Sequence, residues 1–319
     1  MDLHLLMANL TNPTFLFFLL GVVACIVKSD LEIPGPTIKF ISLYLLFSIG
    51  FKGGQELSHS VFSLEIVYSM VAGLALSALI PLYVFGLLRW RLGVHDAGAV
   101  AAAYGSVSAV TFVAATTFLE ARAVSFGGHM VAVMALMESP AIIVSMMLMM
   151  RHDTDASSRM DLGQVIRHAC TNGSVMMVLG SLVIGWVADS HQAEGIRPFT
   201  TDIFKGFLAI FLLEMGMVTA RRFAAFRQYG WFVGWVALLV PAVNGCLVAM
   251  GSSWITSDPG NRFMFAVLAA SASYIAVPAA MRLAAPQADP GLYIPMALGI
   301  TFPFNITAGM PLYWFLIAG

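Results

Sequence analysis

The chain alternates between long apolar stretches and short polar interruptions. Ten stretches read as membrane-spanning segments: residues 13–29, 36–53, 62–88, 96–120, 127–150, 170–189, 200–220, 229–253, 262–285 and 291–318. Each approaches or exceeds the roughly 20 mainly apolar residues that a helix needs to cross the hydrocarbon. Lipid leaves backbone polar groups no partners, so each is expected to be helical wherever it faces lipid. The fourth and ninth depart from this pattern at mid-length. The fourth carries Gly105, Ser106, Ser108 and Thr111, and the ninth carries Ser271, Ser273 and Pro278. Gly/Ser pairs and proline are common causes of helix breaks, so both spans are expected to be discontinuous.

Composition sharpens this picture. Hydrophobic residues make up 59% of the 319 and charged residues 10%, against about 25% charged in ordinary soluble domains. The chain cannot supply a polar coat, and its net charge of −1 offers no basic face. A soluble enzyme, a disordered chain and a nucleic-acid binder are excluded. Cys25, Cys170 and Cys246 lie far apart and read as small buried hydrophobes. No HExxH face and no nucleophile–base pair stands out, so an enzyme is not expected. The first basic residue is Lys28, and the first apolar stretch reads as a retained span rather than a signal peptide.

The few charges set the orientation. Lys28, Lys39, Arg89, Arg91, Arg151, Arg159, Arg167, Arg221, Arg222, Arg227 and Arg282 lie in or beside connections that follow odd-numbered spans, 11 of the 16 basic residues. The other side holds Lys52, Arg122, Arg197, Lys205 and Arg262. By the positive-inside rule the first set is cytoplasmic and both termini are external. Trp90, Tyr229, Trp231, Trp254, Tyr313 and Trp314 fit interfacial belts, and the methionine run Met146, Met147, Met149 and Met150 fits apolar packing. Residues 151–169 are polar, fall at the midpoint, and divide the chain into halves 1–150 and 170–319.

The halves resemble each other. Gly50 and Gly216, in the second and seventh segments, are 166 apart. Ser106 and Ser108 fall 165 before Ser271 and Ser273, and Met134-Ala135-Leu136 falls 162 before Met296-Ala297-Leu298. Five spans per repeat is an odd number, so the second repeat enters the membrane inverted, as in many secondary transporters. Breaks in the fourth and ninth spans would present two helix N-termini, each carrying roughly +0.5 charge, enough together for a small monoanion. Glu138 and Glu214 are intramembrane acids, which are costly and commonly functional. A carboxylate, hydroxyls and amide oxygens suit a hard cation, and Asn305 and Thr307 sit just past the position that the repeat pairs with Glu138. Glu56 and Glu65 lie near an external end, where solvation explains them.

These residues resemble the sodium-dependent bicarbonate transporter family of the cyanobacterial SbtA type. The resemblance covers nearly the whole chain and rests on short motifs in a fixed order. They are Ser48-Ile49-Gly50-Phe51-Lys52-Gly53-Gly54, Gly105-Ser106-Val107-Ser108-Ala109-Val110-Thr111, Met137-Glu138-Ser139-Pro140-Ala141, Glu214-Met215-Gly216-Met217 and Gly309-Met310-Pro311-Leu312-Tyr313. It implies an all-α polytopic protein of ten transmembrane helices in two inverted five-helix repeats. Spans 1, 2, 6 and 7 would form a gate domain and the others a moving core. It implies a homotrimer of the bacterial plasma membrane that moves bicarbonate with sodium by an elevator motion. Bicarbonate would sit near Ser106, Ser108, Ser271 and Ser273, and on this chain Gly105 and Tyr274 adjoin them as further candidate binding residues. Sodium, the coupling ion, would sit beside it, with Glu138, Thr111, Asn305 and Thr307 as its ligands. No other cofactor is implied, and a PII-like regulator is known for such proteins. The chain departs from the family in the ninth span, where Ala272, Tyr274 and Ala276 interrupt a serine run that usually ends in an acid. Tyr274 is placed to intrude on the site, which keeps a different small anion or carboxylate open as substrate. A channel or a transport-dead sensor is the reading from another class.

Overall fold

The computed structural model describes residues 13–59, 63–153, 173–226 and 230–319, together with the single residues 163, 167 and 171. Most of the 151–169 connection, including Asp155, Arg159 and Asp161, lies outside the described residues, as do Cys170, Arg227 and Tyr229. The described chain is all-helical, with no strand among the described residues. Six of its helical stretches are long and apolar enough to cross a membrane, which makes this an all-α membrane protein.

Each apolar segment of the sequence lies on a helix or a helix pair. In chain order these are α1 (Pro13–Ile26), α2 (Gly35–Ser58), α3 (Leu64–Leu88), α4 (Val94–Gly105), α5 (Ala109–Glu120), α6 (His129–His152) and α7 (Gly173–Val187). There follow the short α8 (Ser190–Glu194), α9 (Phe204–Phe226), α10 (Gly230–Gly251), α11 (Pro259–Ala270), α12 (Ala276–Ala284) and α13 (Pro290–Ala318). The fourth segment is therefore the pair α4/α5, broken at Ser106–Ser108. The ninth is the pair α11/α12, broken between Ser271 and Ile275. α13 is irregular: π-helical turns run over Met296–Thr301 and Asn305–Gly309. Pro303 and Pro311, which have no N–H to donate, sit in this stretch. α2 is long enough to cross, but carries Lys39, Lys52 and Glu56.

The helices associate in two groups. In the first, α1 lies against α9 and α2 against α7, with α9 also touching α2. Both crossings are made by glycine. A Cβ at Gly21 would meet the α9 backbone at Leu213, and one at Gly216 would meet the α1 backbone at Phe18. In the same way Gly54 lies on the α7 backbone at Leu182, and Gly185 on the α2 backbone at Phe51. Small residues let membrane helices approach this closely, where dispersion replaces the missing hydrophobic drive.

In the second group α3 packs on α4 and α6, and α10 packs on α11 and α13. The two broken pairs interlock, with α5 against α11 and α12 against α4 and α6. Tyr104 Oη lies 2.7 Å from Thr301 Oγ1, which donates to Ala237 O at 2.7 Å, so α4, α13 and α10 share one buried chain of hydrogen bonds.

Two expectations change on contact with the fold. Tyr313 is not interfacial: it is fully buried, and its hydroxyl donates to Asn305 Oδ1 and Pro241 O. Glu65 is not simply solvated: Thr256 and Asn261 both donate to its Oε1, tying the start of α3 to the start of α11. Trp90, Trp231 and Trp254 are highly exposed, as interfacial residues should be. The methionine run splits between the two expected environments, with Met146 and Met149 buried and Met147 and Met150 exposed.

Candidate functional site

The breaks in α4/α5 and α11/α12 meet. Ser108 N donates to Ser271 Oγ at 3.1 Å, and Ser273 N donates to Ala103 O at 2.8 Å. Each break is thus held by the other, which offsets the backbone groups lost from the regular helices. A serine side chain caps α5, and another lies just ahead of the N-cap of α12. Ser108 Oγ accepts from Thr111 N at 3.1 Å, and Ser273 Oγ accepts from Val277 N at 3.5 Å. Ser271 Oγ donates to Leu268 O, and Ser106 Oγ donates to Glu138 O. The hydroxyl protons of Ser106 and Ser271 are therefore used within the protein. Ser108 and Ser273 accept from backbone N–H groups, which leaves their hydroxyl protons for another partner, and the Ser108 hydroxyl faces that of Tyr274.

A small cavity opens where the two half-helix N-termini converge. It is lined by Val107, Ser108 and Ala109 from the first break, by Ser273, Tyr274, Ile275 and Ala276 from the second, and by Glu138 of α6. Ser42 and Leu46 of α2 and Ser174 of α7 close it from the other helix group. Its volume is about 20 Å³, the room of a single water. The chemistry assembled here is specific: two partial positive helix ends, several serine hydroxyls, a phenol and one carboxyl.

The other expected residues lie around this cavity rather than in it. Gly105 ends α4, where a Cβ would strike Pro81 of α3. Thr111 is buried in the first turn of α5. Asn305 is fully buried and donates to Ala270 O at 2.8 Å, which satisfies a carbonyl freed at the end of α11. Thr307 donates to Pro303 O within α13. Glu214 sits on α9, and its Oε2 has no hydrogen-bond partner among the described residues. Ser42, Leu46 and Ser174 were not singled out by the sequence, since nothing distinguishes them from other residues on apolar helices.

A wider cavity of about 310 Å³ lies at the far end of α2, lined by Lys52, Glu56, Thr116, Glu120 and Phe204 among others. There Glu120, the last residue of α5, meets Lys205 at 3.1 Å and Lys52 at 3.9 Å. Its charges are paired and substantially exposed, and no helix N-terminus of the breaks faces it, so the smaller cavity is the better candidate for recognition.

A comparison with curated proteins finds no match. A family model described as the Na+-dependent bicarbonate transporter superfamily matches residues 13–318, nearly the whole chain, including both breaks and every residue lining the small cavity. The protein is thereby placed among transporters rather than enzymes. The chain belongs to the Na+-dependent bicarbonate transporter superfamily.

Proposed function

We propose that this protein is a secondary active transporter that carries bicarbonate, or a similar small monoanion, into the cytoplasm together with sodium. The observation that carries this reading is the small cavity, in which two half-helix N-termini, serine hydroxyls and Glu138 converge at a seam between two helix groups. An anion at helix N-termini needs no buried Arg or Lys, and discontinuous helices at mid-membrane are the usual place for such sites in secondary transporters.

In this reading the chain crosses the bacterial plasma membrane ten times, with both termini external, as two inverted repeats. Exchange of packing partners supports the repeats. The α1/α9 contact joins spans 1 and 7, and the α2/α7 contact joins spans 2 and 6, so the repeat operation turns each into the other. The glycines at the two crossings correspond as well, Gly50 with Gly216 at an offset of 166 and Gly21 with Gly185 at 164. The first helix group, α1, α2, α7 and α9, is the gate. The second is the core, which carries the substrate past the gate in an elevator motion. The Glu120 pairs with Lys52 and Lys205 join core to gate, and exposed pairs of this kind are worth little, which suits contacts that must break.

Ser108 and Ser273 donate to the anion, while Ser106, Ser271 and Gly105 shape the breaks that present them. Glu138 is the main sodium ligand. Thr111 and Thr307 supply hydroxyl oxygens, and Asn305 Oδ1 keeps one lone pair beyond its bond from Tyr313.

The test is uptake of radiolabelled bicarbonate into proteoliposomes, with and without an inward sodium gradient. Saturable uptake that requires sodium is expected. Uptake that neither saturates nor responds to sodium would replace the transporter reading with a channel. Ser273→Ala is expected to raise the KM for bicarbonate about tenfold, the worth of one hydrogen bond to a charged group. An unchanged KM would remove Ser273 from the site.

A further inference from the structure

Three tyrosines deep in the helix bundle invite comparison. The hydroxyls of Tyr104 and Tyr313 both have partners, Thr301 for the first, Asn305 and Pro241 for the second. Tyr274 differs. It is 9% exposed, and its hydroxyl completes no well-formed hydrogen bond among the described residues; the side chain it faces is that of Ser108, itself on the cavity. It lines the same cavity as Ser108, Ser273 and Glu138. A buried hydroxyl without a well-formed hydrogen bond is destabilising, so its persistence at a ligand cavity points to a partner that arrives with the ligand.

The ring is held in place by packing. It meets Phe302 edge-on, with centroids 6.1 Å apart, and Phe302 meets Phe18 of the gate helix α1 in the same way at 5.8 Å. Such edge-to-face contacts fix an aromatic plane, so the hydroxyl direction is set before any ligand binds. The ring forms one wall of the cavity.

Of the hydroxyl residues lining the cavity, Ser108, Ser273 and Tyr274 come from the two breaks, and Ser42 and Ser174 from the facing helices. The geometry points to Tyr274 as the residue that sets the substrate class, its hydroxyl donating to one oxygen of a planar three-oxygen monoanion and its ring excluding anions with a longer carbon skeleton. This assignment rests on the transport reading above. Bicarbonate and nitrate have the required shape. Pyruvate is too long, and a halide has no directed oxygen acceptors. A site built to hydrogen-bond an oxygen discriminates strongly against ligands lacking it, because its own polar group then stays unpaired.

The experiment uses purified full-length protein in proteoliposomes under an inward sodium gradient. Radiolabelled bicarbonate is the probe, and unlabelled nitrate and pyruvate are the competitors. For the unmodified protein, nitrate is expected to compete and pyruvate to leave uptake unchanged. Tyr274→Phe keeps the ring and removes the donor; it should raise the KM for bicarbonate about tenfold, with the maximal rate within about twofold. Tyr274→Ser makes room, and pyruvate should then compete. An unshifted KM in Tyr274→Phe would overturn the assignment while leaving the transport reading intact. Absence of sodium-driven bicarbonate uptake by the unmodified protein would overturn the transport reading, and this assignment with it. Should either variant fail to fold, the unmodified protein still decides, since pyruvate competing as well as nitrate would overturn the size limit.

Discussion

Glu138→Gln is expected to abolish sodium-driven accumulation of bicarbonate while leaving a folded protein. The reason is electrostatic. Glu138 is the one carboxylate among the residues lining the small cavity, and an ionised carboxylate repels an anion brought beside it. At 4 Å and an effective dielectric near 20, that repulsion is about 4 kcal/mol, or about three orders of magnitude in affinity. A sodium ion bound at Glu138 cancels the repulsion, so the anion binds well only when sodium is present. The glutamine variant has no charge to cancel. Its affinity for bicarbonate should no longer depend on sodium, and its accumulation ratio should fall to about one. Uptake measured across a range of sodium gradients checks both statements. Retained concentrative uptake in the variant would move the coupling ion away from Glu138.

How far this site could be read in advance depended on whether a feature was local. The breaks were legible because Gly105, Ser106 and Ser108, and then Ser271 and Ser273, interrupt apolar runs that otherwise favour continuous helix. Their correspondence at one offset made a shared location a reasonable expectation. That the breaks hydrogen-bond to each other was not legible, since the bond from Ser108 N to Ser271 Oγ spans 163 residues. Ser42 and Ser174 are single hydroxyls on ordinary apolar helices, and only tertiary packing brings them to the cavity. Asn305 was visible as a polar residue in an apolar segment, but its nearest task is structural: it binds the carbonyl that the break at Ala270 sets free. Tyr313 was misplaced at the interface by its position near the chain end. It is buried because Gly245 and Gly309 leave space for its ring, a vacancy that no local pattern reveals. The length of α13 was likewise visible, while its π-helical turns were not.

The second large effect concerns the gate helices. Gly216→Val and Gly54→Val are each expected to destabilise the protein by ~3 kcal/mol or more, at the upper end of the cost of overpacking. In each case the added side chain would have to displace a neighbouring backbone, that of α1 at Phe18 or of α7 at Leu182. Backbone cannot swing aside as a side-chain tip can, so the helices must separate and lose the dispersion contacts that join them. Controls lie on helices of the same two crossings: Gly180 of α7 and Gly206 of α9 have open space where a Cβ would go. Gly180→Val and Gly206→Val change helix propensity by about as much, so they isolate the close approach from any intrinsic effect of valine. Thermal unfolding in detergent, followed by size-exclusion chromatography, should show early loss of the folded peak for the two crossing variants and near-native behaviour for the two controls. The comparison also tests the repeat. If the α1/α9 and α2/α7 crossings are copies of one structural unit, Gly216→Val and its repeat counterpart Gly50→Val, whose side chain would meet α7 at Val178 and Ser181, should shift the midpoint by similar amounts. A large shift for one with none for the other would mean that only one crossing holds the gate together, and the inverted-repeat reading would lose its packing support.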